Sequence, residues 1–219
     1  MTPDLVIFDC DGVLVDSEPP TLALLRDDLA AHGLTLTMED INRDYTGLMM
    51  TNVAQKAIAN GATLPDTWVP DFYAKMFDRL RDGVALIPDI EAALDALDAA
   101  AIPYCVASNG PMEKMDITLG AHPALYNRLA GRLHSAHTHG TGKPDPDLLL
   151  IAARTMGVDP TRALMIDDSP SGCIAAARAN MRCLGFDPHG DGAHLTATGA
   201  QHLAAMADLP VRLGLSKPH

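Results

Sequence analysis

The amino-acid sequence predicts an α/β fold in which a parallel sheet forms the core and a smaller all-helical domain is inserted into it. Two observations predict the core. Short apolar runs alternate with helical segments after residue 83, and these runs are almost continuously apolar, as in strands that are buried on both faces. A third observation predicts the insert, because residues 16–82 show helical patterns and no convincing strand.

The chain begins with a predicted strand at Leu5–Phe8, a short apolar run. Ser17, followed by two prolines, marks the start of the first inserted helix, because proline is tolerated in a first turn, and Gly33 ends that helix. The predicted domains are a parallel-sheet core of residues 1–15 and 83–219 and an inserted helical domain of residues 16–82.

The second part of the core alternates helices and strands. Residues 89–100 have apolar side chains on one face and acids on the other, which predicts an amphipathic helix. The remaining predicted elements are, in chain order, a strand over 104–107, a helix over 111–119, a helix over 146–157, a strand over 163–166, a helix over 170–180 and a strand over 182–186.

The charge balance limits the possible partners. Sixteen Lys and Arg residues against 28 Asp and Glu residues give a formal net charge of −12. This charge argues against nucleic acid and against an anionic membrane surface, because both need clustered basic residues. A small phosphorylated metabolite still binds if one lysine, a metal and backbone N–H groups act on it locally. The oligomeric state is left open, with a monomer favoured.

The cysteines and the chain start predict the compartment. Cys10, Cys105, Cys173 and Cys183 form no CxxC motif and no zinc spacing, so a reducing compartment is the simplest interpretation. No apolar stretch approaches a membrane span, and the first strand begins where a signal peptide would lie. The sequence therefore predicts a cytoplasmic location.

Polar side chains follow three of the predicted strands, and a lysine lies in a loop before a helix. Because the carboxyl ends of strands in an open parallel sheet share one edge, where ligands bind, these side chains are expected to converge. The candidate residues are Asp9 and Asp11 after the first strand, Ser108 and Asn109 after the second, Lys143 in the loop, and Asp167 and Asp168 after the third.

This set has the parts that phosphoryl transfer needs, namely an in-line nucleophile, positive charge for the phosphoryl oxygens and an acid for the leaving oxygen. Asp9 has the position of the nucleophile. Asp11 is able to protonate the leaving alkoxide and then to deprotonate the attacking water. Ser108 offers a hydroxyl donor, and Lys143 offers a point charge.

The acids also predict a metal. Asp9 and Asp11 repel each other when both are ionised, and a bound divalent cation would offset this repulsion. Asp167 and Asp168 supply carboxylates of the kind that Mg²⁺ prefers. Each motif alone has a plainer interpretation, because Ser-Asn-Gly is often a turn and Asp-Asp-Ser before proline is often a helix cap. Their joint occurrence in one order favours a functional set.

The order of these motifs resembles the haloacid dehalogenase superfamily, and more narrowly its phosphatases and phosphomutases with a helical cap inserted after the first motif. The resemblance spans nearly the whole chain and is carried by residues 9–18, 108–110, 142–146 and 167–172. It implies a Rossmann-like core with a helical cap domain. The second acid, at Asp11, argues against a true dehalogenase, whose first motif lacks it.

The resemblance also implies roles. Asp9 would be the nucleophile that forms an aspartyl phosphate, and Asp11 would be the general acid and base. Ser108 and Lys143 would bind phosphate, together with Asn109. Magnesium would be held by Asp9, the backbone carbonyl of Asp11 and Asp168, with Asp167 close by.

Shorter stretches resemble one branch of this family, the bacterial 6-phosphogluconate phosphatases. They are residues 105–111, Lys114 with Met115, and residues 187–189. The β-phosphoglucomutase branch is the rival, but its members carry a cap histidine where this chain has Thr21. The candidate specificity residues lie in the first cap loop and are Thr46, Gly47 and Met50, without the basic residues of the mutases or the lysines of the 6-phosphogluconate phosphatases.

Three histidines, His134, His137 and His139, precede Lys143. A metal site is one interpretation, but their spacing fits no helix face, and a polar loop is the favoured one. The same interpretation applies to His189. A contact with the substrate is an alternative for all four histidines.

The sequence as a whole therefore predicts a magnesium-dependent phosphatase of a small metabolite, a sugar or polyol phosphate. A sugar phosphomutase is the alternative within the family. Outside it, a receiver-type signalling module is disfavoured, because its acid pair precedes the phosphorylated aspartate. A catalytically idle binding protein on the same fold is disfavoured by the full catalytic set.

Overall fold

The computed structural model describes residues 2–45, Leu48 and residues 50–215. The chain divides into two compact units. The first consists of Met1–Asp16 and Ala85–His219, and the second of Ser17–Val84. The predicted insert, residues 16–82, differs from the second unit by one or two residues at each end. That this segment acts as a cap stays a prediction.

The first unit is built on a sheet of six parallel strands. Its order is β5-β4-β1-β6-β7-β8, and two short strands, β2 and β3, pair antiparallel beside it. The strands are β1 Leu5–Phe8, β2 Val15–Asp16, β3 Ala85–Leu86, β4 Tyr104–Ser108, β5 Leu133–Ser135, β6 Ala163–Asp167, β7 Arg182–Phe186 and β8 Gln201–Leu203. The predicted α/β class with a parallel sheet is confirmed.

The helices of both units complete the architecture. Those of the second unit are α1 Glu18–Ala31, α2 Met38–Tyr45, α3 Met50–Ala59 and α4 Trp68–Arg81. Those of the first unit are α5 Ile90–Ala99, α6 Met112–Gly120, α7 Pro123–Arg128, α8 Ala136–His139, α9 Asp147–Thr155, α10 Pro170–Arg178, α11 Ala193–Thr196 and α12 Leu209–Arg212, with 3₁₀ turns at Pro160–Arg162 and Met206–Asp208.

The central strands are apolar, and their side chains are buried on both faces of the sheet. β1 lies between β4 and β6, and all four of its side chains are buried. Phe8 pairs with Val106 on one side and with Ile166 on the other, so the three strands end at nearly the same level. The residues that follow them therefore emerge at one edge.

Four strands (β2, β3, β5 and β8) and several short helices are not predicted from the sequence pattern. β5 and β8 are three-residue edge strands that include polar side chains, among them His134 and Gln201. A three-residue run is too short to show a period, so its pairing with a neighbour is what makes it a strand. The helices predicted over 89–100, 111–119, 146–157 and 170–180 correspond to α5, α6, α9 and α10 with small differences at the ends.

Candidate active site

The carboxyl ends of β4, β1 and β6 carry the predicted site residues. Ser108 is the last residue of β4, and Asp167 is the last residue of β6. Asp9 directly follows β1, and its backbone N–H donates a hydrogen bond to the carbonyl of Ile166 over 2.9 Å. Neighbouring parallel strands thus bring together residues that lie far apart in the sequence.

Three acids form a cluster at this edge. Ligand oxygens of Asp9, Asp167 and Asp168 all lie within 4.8 Å of one another. Asp167 is 0% exposed and Asp9 is 9% exposed. In the part of the chain that the structure describes, this is the one group of three or more His, Cys, Asp or Glu side chains with such spacing.

Lys143 joins two of these acids. Its ammonium lies 2.8 Å from Asp9 Oδ1 and 2.8 Å from Asp167 Oδ2, and its side chain is 2% exposed. The contact with Asp167 is a charge-assisted hydrogen bond. The contact with Asp9 is an ion pair of the same length, so one ammonium holds both carboxylates.

Burial shifts the pKa values of this pair. Burial is the largest effect on Asp9, and with the charges of Asp167 and Asp11 it raises the pKa of Asp9 to about 7 in spite of the opposing attraction of Lys143. Burial by itself lowers the pKa of Lys143, but the attraction of Asp167 and Asp9 outweighs it, so that the pKa of Lys143 is raised. Lys143 stays charged at neutral pH.

The acid cluster fits a divalent cation. Carboxylate oxygens are the ligands that Mg²⁺ prefers, and here three carboxylates face one ammonium. One ammonium leaves an excess of negative charge among the three carboxylates, which a cation would compensate. A side chain at Gly12, whose φ is +74°, would overlap the Asp168 carboxylate, so the backbone passes close to this acid.

Asp167 is fully engaged by the protein. Its Oδ1 accepts hydrogen bonds from the backbone N–H of Ser169 at 2.9 Å and from the Ser169 hydroxyl at 2.6 Å, and its Oδ2 accepts from Lys143 at 2.8 Å. The Ser169 hydroxyl oxygen also accepts from the N–H of Gly172 and caps α10, as predicted. These hydrogen bonds to both carboxylate oxygens allow Asp167 to orient Lys143 and Ser169.

Asp11 has a partner that the sequence analysis missed. The ammonium of Lys114, on α6, lies 2.9 Å from Asp11 Oδ1. Burial by itself lowers the pKa of Lys114, but the attraction of Asp11 raises it above its ordinary value. In the sequence, Lys114 belongs only to a short stretch that resembles the 6-phosphogluconate phosphatases. Its place in the first turn of the helix after Ser108 is the sequence feature that could have predicted a position near Asp11.

Ser108 and Asn109 lie at the carboxyl end of β4, and Asn109 contacts Lys143. Ser108 is buried, and its hydroxyl oxygen accepts a hydrogen bond from the N–H of Gly110 over 3.0 Å. The side-chain amide of Asn109 makes two hydrogen bonds to the main chain of Lys143. The prediction that Asn109 binds phosphate stays a prediction, with its amide already in use in this structure.

The remaining candidates are the specificity residues and the histidines. Thr46 and Gly47 lie outside the described residues, and Met50 is the first residue of α3 in the second unit. The polar-loop interpretation is wrong for His134, which lies in β5 and is buried. The imidazole ring of His134 stacks on that of His139. Burial lowers the pKa of His134, and the charge of the neighbouring His139 lowers it further. None of the described histidines joins a cluster with metal-ligand spacing.

No helix among the described residues is both long enough and apolar enough to span a membrane.

Comparison with known proteins gives a consistent result. A family model described as haloacid dehalogenase-like hydrolase matches residues 3–180. The 6-phosphogluconate phosphatase of Escherichia coli (strain K12) is 31% identical over 210 residues, which cover 94% of this chain and 94% of that protein. The N-acetylmuramic acid 6-phosphate phosphatase of Pseudomonas aeruginosa is 31% identical over 172 residues, or 74% of this chain and 72% of that protein.

A solved structure is similar over the full length. It is a HAD family hydrolase from Deinococcus radiodurans R1 with bound phosphate and sodium. It is 28% identical, covers 100% of this chain and 99% of that chain, and has a TM-score of 0.85.

Proposed function

The chain belongs to the haloacid dehalogenase-like hydrolases, and from this premise we propose that it is a magnesium-dependent phosphatase that hydrolyses a small sugar or polyol phosphate. The observation that carries the proposal is the contact of a buried lysine with two buried acids at the ends of adjacent strands. The phosphatase names of two relatives that are 31% identical support the reaction class.

Asp9 is the proposed nucleophile. Its carboxylate oxygen attacks phosphorus, the bond from phosphorus to the sugar oxygen breaks, and an aspartyl phosphate forms. Asp11 gives a proton to the departing oxygen. A water molecule then attacks phosphorus, Asp11 takes the proton of that water, and inorganic phosphate leaves Asp9 as a free carboxylate. Lys143 and Ser108 donate hydrogen bonds to the phosphoryl oxygens throughout.

Magnesium has a proposed place among the acids. Asp9, the backbone carbonyl of Asp11 and Asp168 would hold it, and Asp167 would orient this set. Bound there, the ion would neutralise charge on the phosphoryl oxygens and permit close approach of the anionic ester to Asp9. This proposal is supported by the spacing of the three carboxylates and by the burial of Asp9 and Asp167.

The substrate is proposed as a sugar or polyol phosphate, with 6-phosphogluconate as the first candidate because a relative of similar length carries that name. We further propose that residues 16–82 act as a cap that excludes water and selects the leaving group. Thr46, Gly47 and Met50 are the proposed selecting residues.

A panel of phosphorylated sugars, sugar acids and polyols tests the proposal by release of inorganic phosphate with and without Mg²⁺. We expect release from at least one member with Mg²⁺ and none after chelation. Asp9→Asn should abolish turnover, whereas Asp208→Asn, an exposed acid outside the site, should leave it unchanged. Transfer of phosphate within a bisphosphate-primed sugar, without free phosphate, would identify a mutase instead.

A further inference from the structure

We propose that Asn109 is a positioning residue for Lys143, acting through the lysine's main chain rather than by binding phosphate with its side chain. This inference deepens the proposed function and rests on it. Asn109 directly follows β4, whereas Lys143 lies in the loop before α9, 34 positions later.

Two hydrogen bonds join the residues in opposite directions. Asn109 Nδ2 donates to the carbonyl oxygen of Lys143 over 2.9 Å, and the backbone N–H of Lys143 donates to Asn109 Oδ1 over 2.8 Å. The amide thus pairs with both polar main-chain groups of one residue, as a neighbouring strand would do. We name this pair of hydrogen bonds the Asn109 clasp.

The surroundings leave little freedom to the Asn109 clasp. A Cβ atom at residue 142 would lie 2.7 Å from Asn109 Oδ1 and 2.9 Å from the Cβ of Ala136, so glycine is the residue that fits before Lys143. On the far side, the guanidinium of Arg178 donates to the carbonyl of Pro144 over 3.0 Å. The loop is therefore fixed on both sides of Lys143.

The position of the Lys143 backbone matters because its ammonium has to reach two acids at once. Nζ lies 2.8 Å from both Asp9 and Asp167 in a site where the lysine side chain is almost completely enclosed. A displacement of about 1 Å is enough to lower a catalytic rate by about 10²-fold. Without the Asn109 clasp, the loop is able to shift, and the ammonium shifts with it.

A double-mutant cycle tests whether Asn109 acts through Lys143. We expect Asn109→Ala to lower kcat/KM by about 10- to 100-fold in the wild-type background. In the Lys143→Met background the same change should have less than about a twofold effect, because the group that the Asn109 clasp positions is already gone. Equal factors in the two backgrounds would overturn the proposal, since they would mean that Asn109 acts on the substrate by itself.

Thr118→Val is the matched control. Thr118 is a buried polar residue on α6 whose hydroxyl donates to the carbonyl of Lys114 over 3.0 Å, with no contact to Lys143 among its described hydrogen bonds. Its effect on kcat/KM, whatever its size, should be the same in both backgrounds. A variant with general loosening of the core would behave like this control.

Backbone hydrogen exchange provides a readout that does not depend on activity. In the wild-type protein the Lys143 amide should be protected, and in Asn109→Ala its exchange should accelerate at least about tenfold while β4 keeps its protection. An unchanged exchange rate of the Lys143 amide in Asn109→Ala would overturn the proposal even if activity falls. A protein with a protected amide and no phosphatase activity would instead refute the proposed function and leave the structural contact standing.

Discussion

Asp167 is fully buried, and its carboxylate accepts hydrogen bonds from Ser169 and Lys143. The first turn of α10 passes so close to this carboxylate that a Cβ atom on Gly172 would overlap it. Gly172 therefore matters for the space that it leaves rather than for an unusual backbone conformation. A glycine is needed at position 172 because any side chain there would overlap the Asp167 carboxylate.

Gly172→Ala should damage both stability and activity. The added methyl group forces either α10 or the Asp167 carboxylate to move, and we expect the free energy of unfolding to fall by about 1–3 kcal/mol. If Asp167 moves, Lys143 loses a partner, so kcat/KM should fall by about 10²-fold. Denaturant unfolding and phosphate release measure the two effects.

Gly120→Ala is the control for that substitution. Gly120 is the last residue of α6, and no described atom lies within 4 Å of where its Cβ would be. Alanine is a better helix former than glycine, so this variant should be unchanged or more stable by up to about 1 kcal/mol. A Gly172→Ala protein with wild-type stability and activity would show that the space next to Asp167 is not needed.

At the scale of elements, α1 and α4 of the second unit are joined by a buried acid. Asp28 on α1 is 7% exposed. It accepts hydrogen bonds from Trp68 Nε1 over 2.6 Å and from Lys75 Nζ over 2.5 Å, both on α4. Along α4, Trp68, Phe72, Met76 and Leu80 are buried at a spacing of four residues, which gives the helix one apolar face. Asp28 is the polar contact within this apolar interface.

Asp28→Ala should destabilise the second unit. The substitution leaves the indole N–H of Trp68 buried without an acceptor and removes the partner of Lys75, so we expect a loss of about 1–3 kcal/mol in the free energy of unfolding. Tryptophan fluorescence follows the unfolding directly, because Trp68 is the only tryptophan of the chain.

Asp78→Ala on the same helix provides the comparison. Asp78 pairs with Arg81 over 2.6 Å on an exposed surface, and such pairs contribute little, so the change should stay within about 0.5 kcal/mol. Equal losses in the two variants would contradict the special role given to Asp28.

At the scale of the whole molecule, acids outnumber bases, and the net charge is −12. The site repeats this imbalance, since one buried lysine faces a cluster of three acids. The folded protein therefore gains from a proton or a cation at this edge. This gain links global stability to both pH and divalent metal.

The pH dependence follows from Asp9. Burial raises its pKa from 3.8 to about 7 in the folded protein, so the folded state holds the Asp9 proton more tightly than the unfolded chain. Stability from this group is present below its unfolded pKa and is lost as pH rises from about 4 to about 7. In the presence of a chelator, Asp9→Asn should gain stability relative to wild type between about pH 5 and about pH 8, as measured by urea unfolding.

The stabilisation of the folded protein by magnesium should increase with pH, whereas the stability from the Asp9 proton decreases. The ion prefers ionised carboxylates, so its stabilisation of the wild-type protein should grow over the same pH range and reach about 2.7 kcal/mol at a concentration of about 100 Kd. Asp168→Asn should lose most of this stabilisation. A stabilisation that stays constant with pH, or that survives in Asp168→Asn, would contradict the proposed ligand set.

The sequence by itself determined the fold class and the candidates that follow the central strands. Apolar runs such as Leu5–Phe8 report burial on both faces of a sheet, and residues directly after such runs must lie at its edge. Local order along the chain was therefore enough to collect Asp9, Ser108 and Asp167 into one hypothesis before any contact was known.

Only the tertiary structure decided which side chains touch. It brought Lys114 to Asp11, turned the Asn109 amide toward the main chain of Lys143, and linked Trp68 to Asp28. It also made strands of short edge segments such as His134 and its neighbours. These contacts depend on side-chain direction and on packing between segments far apart in the chain, and neither is encoded in the spacing of residue types along it.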